Sequence, residues 1–435
     1  MLSKGYSHFL KKLQKEAISY LLLRYPYIQE RAVLDLDILI ENEEEYRRAQ
    51  KTLNETGFIL LESEKYRSFW AKKEDDTLLV VDLYKEVSWL GWTLLDKKRM
   101  FDRRRKLSAT VVVPCFEDDL LVYIAQALFK NFCLNEYKTS VVRKILAQPL
   151  DRKYIDEQTC KKGWHKAFRE TIVKVKNSSK EKIFFPKSFT IKTIFTTFIQ
   201  KPLARSTIFF RLLRMVVRKI SLKRRATHIC LLGPDGSGKS TLAKELKGKI
   251  PSFFEKFEVK AYSIYFGWIP FLPTTKLISK LFKTKDYKIV EKMNTRQEKR
   301  SLFQELIVFY YFIEYLARYF FLIFPLRRKK AIIITDRYFY DYYAHYSYAP
   351  ESILFPLLLE MYPKPDFTFS LECSKETLLQ RKQEVAPHIL EKHLEHYTQL
   401  AEKIDSHKIN TLQPQKECIN EIFNKIWRKT LRRTL

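Results

Sequence analysis

The chain lacks the cysteine spacing of zinc-binding proteins and the N-terminal apolar segment of secreted proteins. Its 435 residues include six cysteines, and no two of them form a C-x-x-C pair. Such spacing is typical of zinc sites and redox pairs, and disulfide frameworks need an oxidising compartment. No long apolar core follows Met1, so no secretory signal is evident. We therefore expect scattered reduced thiols in a cytoplasmic protein.

Acidic residues are scarce, which leaves a formal net charge of +30. Residues 161–225 contain nineteen lysines and arginines but only two acids, and this stretch holds over half of the excess. Residues 207–218 within it predict a basic amphipathic helix, which fits an anionic membrane surface and would make the protein peripheral there. The alternative is a solvated linker helix that docks its apolar side on a domain. No recognition motif for nucleic acid accompanies the charge, so that partner is not expected.

Residues 306–324 form the longest apolar segment, dense in Ile, Leu, Phe and Tyr. It contains Glu314 and Arg318, which are spaced to pair on a soluble helix. A membrane-spanning helix should carry few or no charges. The segment therefore predicts a buried core helix rather than a membrane span.

A glycine-rich loop is the most informative feature that is present. It consists of Gly233, Pro234, Asp235, Gly236, Ser237, Gly238, Lys239, Ser240 and Thr241. An apolar run at 228–232 predicts a buried strand before it, and residues 241–246 have helix-forming composition after it. This order predicts a phosphate-binding loop (Walker A), whose N–H groups converge on phosphate oxygens at a helix N-terminus. Lys239 would reach the β- and γ-phosphates of ATP, and the Ser240 hydroxyl would bind Mg²⁺.

From residue 226 onward, apolar runs alternate with helical segments, which predicts an α/β fold with a parallel sheet and flanking helices. Strands are predicted at 257–265, 331–338 and 365–372. Asp336 and Arg337 close the second of these runs, where open α/β sheets bind ligands. Asp336 can orient Mg²⁺ through water, and Arg337 offers a bidentate fork for a phosphate. The alternative for Asp336 is a simple strand-end cap.

Three segments in this half, GPDGSGKST, TDRYFYD and PDFTFSLECSKETLLQRK, resemble the thymidylate kinase family of nucleoside-monophosphate kinases in order and spacing. The resemblance implies ATP-dependent phosphoryl transfer. It implies that Asp235 contacts the acceptor's sugar, and that Asp336 and Arg337 handle metal-bound water and the acceptor phosphate. Arg381 matches the arginine that begins a mobile lid. The acceptor stays open between a nucleoside monophosphate and a related small phosphorylated molecule. Guanine-reading N-K-x-D and transporter L-S-G-G-Q motifs are absent.

Acidic residues recur on predicted strands of the N-terminal half. Alternation over 31–40 places Asp35 and Asp37 on one strand face, and the run at 78–84 presents Asp82. Three carboxylates on neighbouring strands can hold two divalent ions for attack on a nucleotide α-phosphate. The segment resembles the catalytic core of the nucleotidyltransferase superfamily, without that superfamily's Gly-Ser pair. The alternative is an inactive fold kept for packing or partner binding.

The sequence thus predicts a smaller α+β, nucleotidyltransferase-like domain over 1–160, a basic helical linker over 161–225, and a P-loop domain over 226–435. The predicted function is Mg-ATP-dependent phosphorylation of a nucleoside monophosphate or related acceptor. Two alternatives stay open: nucleotidyl transfer through Asp35, Asp37 and Asp82, and a non-catalytic ATP-binding adaptor at a membrane surface. The oligomeric state is left undetermined.

Overall fold

A computed structural model describes residues 3–25, 35–89, 92–185, 225–267, 271–272, 302–345, 351–381 and 387–434. The chain divides into two compact units, Met1–Ser221 and Leu222–Leu435.

The first unit is built on a mixed five-stranded sheet. Its strands are β1 (Tyr20–Leu23), β2 (Asp35–Ile40), β3 (Ile59–Ser63), β4 (Arg67–Glu74) and β5 (Thr77–Tyr84), in the order β1-β2-β5-β4-β3. β2 and β5 are parallel, and the other neighbours are antiparallel. Their register places Asp37 beside Asp82. The two acids therefore share one face of the sheet.

Helices α1 (Lys4–Lys15) and α2 (Glu43–Glu55) cover the face of this sheet opposite the two acids. The Ser3 hydroxyl caps the first helix and the Asn42 side chain caps the second, each accepting a backbone N–H bond. Apolar residues of both helices are buried with Ile38 of β2. This packing leaves the face that carries the acids turned toward the rest of the unit.

The remainder of the first unit is mainly helical, and it packs on the face of the acids. Its helices are α3 (Lys97–Asp102), α4 (Phe116–Gln126), α5 (Glu136–Leu146), α6 (Arg152–Lys162) and α7 (His165–Asn177), with a π-helical turn at Ala127–Asn131. Short strands pair β6 (Ser88–Trp89) with β7 (Trp92–Thr93), β8 (Arg105–Ser108) with β9 (Val111–Val113), and β10 (Cys133–Leu134) with β11 (Ile183–Phe184). Leu39 of β2 shares its core with Leu121 of α4.

The structure places the start of the predicted linker inside the first unit. Trp164 and Phe168 are buried in the core of the first unit, so the start of 161–225 packs as part of that unit and is not a linker. Its buried aromatic side chains outweigh the basic composition that suggested a solvated segment. Residues 207–218, the predicted amphipathic helix, lie outside the described residues.

The second unit is built on a five-stranded, wholly parallel sheet. Its strands are β12 (Thr227–Leu232), β13 (Lys260–Tyr265), β14 (Ala331–Asp336), β15 (Phe367–Glu372) and β16 (His407–Asn410), in the order β13-β14-β12-β15-β16. β12 and β14 are buried throughout, as expected for central strands between helices. The order reverses at β12, and the crevice at the carboxyl end of such a switch point is where open α/β sheets bind ligands.

Helices flank this sheet as predicted from the alternating pattern. They are α8 (Lys239–Phe253), α9 (Leu302–Arg318), α10 (Asp341–His345), α11 (Leu354–Met361), α12 (Lys375–Arg381), α13 (Pro387–Lys403) and α14 (Gln415–Thr434). Short 3₁₀ turns lie at Glu255–Phe257 and Leu326–Arg328, and a π-helical turn at Tyr319–Ile323 extends α9.

Within the described residues, one stretch of helix, Gln304–Ile323, is long and apolar enough to cross a membrane. Of its three charged residues, Glu305 is half-buried, and Glu314 and Arg318 are buried in the second unit. Glu314 accepts hydrogen bonds from backbone N–H groups of residues 271–272. One face of the helix therefore belongs to the core as predicted, whereas Leu306 and Phe309 on the other face are exposed.

Candidate functional site

The glycine-rich loop connects central strand β12 to helix α8. Gly233 has a φ of 146°, and a Cβ placed there would lie 2.9 Å from the carbonyl oxygen of Leu371. Gly238, with a φ of 92°, directly precedes the helix. Side chains disfavour both backbone conformations, so glycine is required at these turns. The loop consequently ends at a helix N-terminus, which is the arrangement that binds phosphate groups.

Lys239 lies inside this loop rather than in solvent. Its Nζ atom donates to the carbonyl oxygens of Gly233 and Pro234, each at 2.7 Å, and lies 3.7 Å from Asp235 Oδ1. Burial, followed by the nearby Arg337 charge, lowers the pKa of Lys239. A phosphate that enters the loop would meet a positive charge already positioned and largely stripped of water.

Ser240, in the first turn of α8, contacts Asp336 at the carboxyl end of β14. The Ser240 hydroxyl donates to Asp336 Oδ2 at 2.5 Å. Asp336 is buried, and its Oδ1 has no hydrogen-bond partner within the described part of the chain. Ser237 Oγ in the loop is likewise buried without such a partner there. Orphaned buried oxygens are costly, so both atoms point to a ligand that satisfies them.

Arg337 links the loop to the helices beyond β14. It forms ion pairs with Asp235 and with Asp341, whose Oδ2 lies 2.5 Å from Arg337 Nη1. Tyr397 of α13 donates its hydroxyl hydrogen to the same Asp341. Burial acts to lower the pKa of Arg337, but Asp341, Tyr397 and Asp235 outweigh it, so the pKa lies above its usual value. The guanidinium is thus held charged beside the loop.

Arg381 ends α12, and its Nη1 donates to the carbonyl oxygen of Gly236 at 3.4 Å. The side chain is exposed, so this contact is long and easily broken. The structure therefore brings all of the predicted P-loop site residues to one end of the sheet: the loop itself, Asp336, Arg337 and Arg381. Thr241 is also there, exposed in the first turn of α8.

Sequence reasoning missed two members of this site, Asp341 and Tyr397. Asp341 closes the TDRYFYD segment, four residues after Arg337, so its signal was readable. Tyr397 comes from a distant helix, and no local pattern indicates its contact. A third residue, Arg318, donates to the Gly267 carbonyl oxygen at 2.7 Å and stacks on Phe266. Arg318 therefore secures the chain that follows β13.

The residues present fit a magnesium ion that is held mainly by a nucleotide and water. The described residues contain no group of three or more His, Cys, Asp or Glu side chains placed to hold a metal. Mg²⁺ bound with nucleotide phosphates needs no such cage, because it keeps several waters and one or two protein ligands. The Ser240 hydroxyl and the free Asp336 oxygen would supply that pair of contacts.

The carboxylates of the second predicted metal centre have polar partners within the chain. Asp37 is ion-paired with Arg24, and Asp82 Oδ1 lies 3.8 Å from Arg67 Nη1. The Tyr84 hydroxyl lies between the two carboxylates, 3.2 Å from Asp37 Oδ1 and 3.3 Å from Asp82 Oδ2. Asp35 does not join them in a metal-binding cluster of described residues. The prediction that Asp35, Asp37 and Asp82 hold two ions stays a prediction: Arg24 pairs with Asp37, whereas the buried Oδ1 of Asp82 has no hydrogen-bond partner among the described residues.

Taken together, the fold is mixed α/β, and its parallel five-stranded sheet is compatible with a P-loop kinase-like fold. A solved structure of thymidylate kinase from Ehrlichia chaffeensis is similar at 17% sequence identity and a TM-score of 0.31, covering 46% of this chain and 97% of that one. This similarity is distant. No protein-family model matches the chain, and no curated protein does. None of the comparisons supports the nucleotidyltransferase resemblance of the first unit.

Proposed function

We propose that the second unit is an Mg-ATP-dependent phosphotransferase whose acceptor is a nucleoside monophosphate or a related small phosphorylated molecule. The observation that carries the proposal is the hydrogen bond from Ser240 to Asp336, with the second Asp336 oxygen left free beside the glycine-rich loop. A nucleotide-bound magnesium ion would satisfy this pair.

The cations around the loop suit phosphoryl transfer. The reaction needs in-line positioning and positive charge around the oxygens of the transferring group, and little covalent participation by the protein. Lys239 would bind the β- and γ-phosphates from inside the loop, and Arg337 would bind the acceptor phosphate. Arg381 would reach the transferring group from the exposed side. Magnesium, when bound, would neutralise the developing charge on the phosphate oxygens.

Arg337 also gives the acceptor side of the site its geometry. Its two ion pairs hold the guanidinium with Asp235 on one side and Asp341 on the other. An acceptor phosphate would bind to a guanidinium that is already oriented, which lowers the entropic cost of positioning it. Asp235 would then accept a hydrogen bond from a sugar hydroxyl of the same acceptor.

The experiment that tests the proposal measures ADP release from Mg-ATP with dTMP, dUMP, UMP, CMP, AMP and GMP as acceptors. The variant Lys239→Ala should lose acceptor-dependent turnover by about a hundredfold or more, since a preorganised charge at the transferring group is removed. Lys244→Ala is the matched control, because Lys244 is exposed on the same helix.

Two results would contradict the proposal. One is acceptor-dependent turnover that Lys239→Ala leaves unchanged, which would move the chemistry away from the loop. The other is ATP binding without turnover for any phosphorylated acceptor, which would favour the adaptor alternative.

A further inference from the structure

Helix α9 and the π-helical turn that extends it carry an exposed face of apolar side chains in the second unit. Between residues 302 and 324, every described side chain that is exposed is apolar. The face includes Leu306, Phe309, Ile313, Phe320, Phe321 and Phe324. Leu306 is 65% exposed and Phe321 is 70% exposed. Soluble proteins rarely expose apolar surface this continuous, and such a patch marks a site of contact with a protein or a membrane.

Helix α11 widens this apolar face. The Glu305 carboxylate of α9 accepts a hydrogen bond from the backbone N–H of Ile353 at 3.0 Å, just before α11 begins. The Tyr362 hydroxyl, just after α11 ends, donates to the carbonyl oxygen of Tyr315 of α9 at 2.9 Å. The two helices therefore run side by side in the same direction, and their buried sides share one core. Three exposed apolar residues follow at one-turn spacing beside α9: Ile353, Leu357 and Met361.

Positive charge adjoins the end of the apolar face. Three exposed basic residues follow it along the chain: Arg328, Lys329 and Lys330. The Arg328 guanidinium lies 5.3 Å from the centroid of the exposed Phe324 ring, so the cations begin where the apolar face ends. Glu360, the exposed acid of α11, already pairs with Lys364 at 2.9 Å. The face therefore combines an apolar surface with a cluster of cations at one end.

We propose that this face of the second unit binds the surface of a membrane that contains anionic lipid. Its apolar side chains would enter the boundary between headgroups and acyl chains, and Arg328, Lys329 and Lys330 would bind the anionic headgroups. The helix would lie on the membrane rather than cross it, because its other face, with Glu314 and Arg318, is buried in the core. The proposal rests on neither the proposed phosphotransferase activity nor the basic stretch at 161–225.

Charge and hydrogen bonding favour a lipid surface over a second copy of the chain. The formal net charge is +30, so two copies repel each other, whereas an anionic surface attracts each copy. Protein interfaces carry about one hydrogen bond per 100–200 Å², and the described side chains exposed between residues 302 and 324 offer no hydrogen-bonding group. The acyl region of a bilayer requires none. An anionic membrane surface therefore matches both parts of the face.

The test measures flotation of the full-length chain with vesicles made of equal parts phosphatidylserine and phosphatidylcholine, and with vesicles of phosphatidylcholine alone. Leu306→Ser and Phe321→Ser each remove one exposed apolar side chain from the face. The control is Leu412→Ser, because Leu412 is 55% exposed elsewhere in the same unit. Residues 161–225 are unchanged in every sample, so any binding by them is common to all.

A second set of variants tests the cations. The double change Lys329→Gln with Lys330→Gln removes two exposed charges next to the apolar face. Its control, Lys247→Gln with Lys249→Gln, removes two exposed charges from α8 and gives the same net charge. All of these side chains are exposed, so the Tm of each variant should equal that of the unchanged protein.

The unchanged protein should float with the vesicles that contain phosphatidylserine. Leu306→Ser and Phe321→Ser should each weaken this binding about tenfold relative to Leu412→Ser, as expected when the burial of one large apolar side chain is lost. The double change at Lys329 and Lys330 should also weaken it about tenfold relative to its control, because each cation near an anionic surface contributes to the attraction. It should reduce the preference for phosphatidylserine as well.

Several results would overturn the proposal. They are the absence of binding to vesicles that contain phosphatidylserine, equal binding to both kinds of vesicle, and binding that either the apolar or the basic variants leave at the level of their controls. Analytical ultracentrifugation without lipid tests the other occupant. A dimer of the unchanged protein that Leu306→Ser and Phe321→Ser dissociate would assign the face to a second copy of the chain, whereas a monomer is the expected result.

Discussion

Asp366 offers the strongest test of how the second unit is held together. Its side chain is 7% exposed, and it accepts hydrogen bonds from Arg433 and from Arg327, the latter at 3.0 Å. The backbone N–H of His228 donates to the same carboxylate at 2.9 Å. These contacts tie the end of α14 to the amino ends of β12 and β15. The change Asp366→Asn would keep the shape but leave two largely buried arginines without their counter-charge.

Breaking a buried ion pair from one side costs about 3–5 kcal/mol, because the remaining charge stays desolvated. For a domain of this size, that corresponds to a fall in Tm of about 10 °C for the second unit. Lys429→Met is the control, since Lys429 lies 3.6 Å from Asp366 with a side chain 43% exposed. Exposed pairs contribute less than about 1 kcal/mol. Differential scanning calorimetry measures both variants.

The pH dependence of the stability of the second unit tests the contacts between Asp366 and the two arginines in a second way. Burial acts to raise the pKa of Asp366, but the bonds from Arg433 and His228 and the charge of Arg327 outweigh it, so the folded pKa lies below the ordinary value. Its stabilisation is therefore complete above about pH 4 and is lost as the pH falls toward the folded pKa. Asp366→Asn should flatten this part of the stability curve. If Asp366→Asn lowers Tm no more than Lys429→Met does, the assignment of the stability to buried charge pairing is refuted.

Two further predictions concern the loop and Arg337. Gly233→Ala should weaken ATP binding about tenfold or more in calorimetry, since the new Cβ meets the Leu371 carbonyl oxygen in a backbone conformation that alanine disfavours. The control is Gly248→Ala, in open space on α8, which should leave the affinity for ATP unchanged. Equal effects of the two changes would contradict the steric argument. Asp341→Asn should raise the KM for the acceptor more than that for ATP, because it removes the counter-charge of Arg337 and weakens the contact with Tyr397. A matched rise in both would indicate a general loss of structure.

Much of the second unit could be predicted from sequence because its signals are local. An apolar, β-branched run such as Ala331–Asp336 suits a strand buried on both faces, and it lies where it was predicted. The predicted strand at 257–265 begins later, at Lys260, since Glu255–Phe257 forms a 3₁₀ turn and Glu258 has a φ of 54°. Apolar side chains packed in a turn produce the same pattern as a strand end. Periodicity alone does not separate the two.

The partners of the predicted acids could not be derived in the same way. Local alternation placed Asp35 and Asp37 on one face and Asp82 on another strand, and the register of β2 and β5 has Asp37 and Asp82 side by side. The residue that pairs with Asp37 is Arg24, at the end of β1, with a φ of 61°. That contact depends on antiparallel pairing between two strands and on a left-handed residue after the first. Neither leaves a periodic signal in the sequence.

The two units show why an acid at the end of a strand is not by itself a metal site. Asp336 is held by a neutral hydroxyl, which leaves the carboxylate its charge and one oxygen free. Asp37 is held by a guanidinium, which cancels that charge. A divalent ion at Asp37 would have to displace Arg24 and leave it beside Lys138, where another cation is already close. The cost of that rearrangement disfavours a divalent ion at Asp37, whereas no such rearrangement is needed at Asp336.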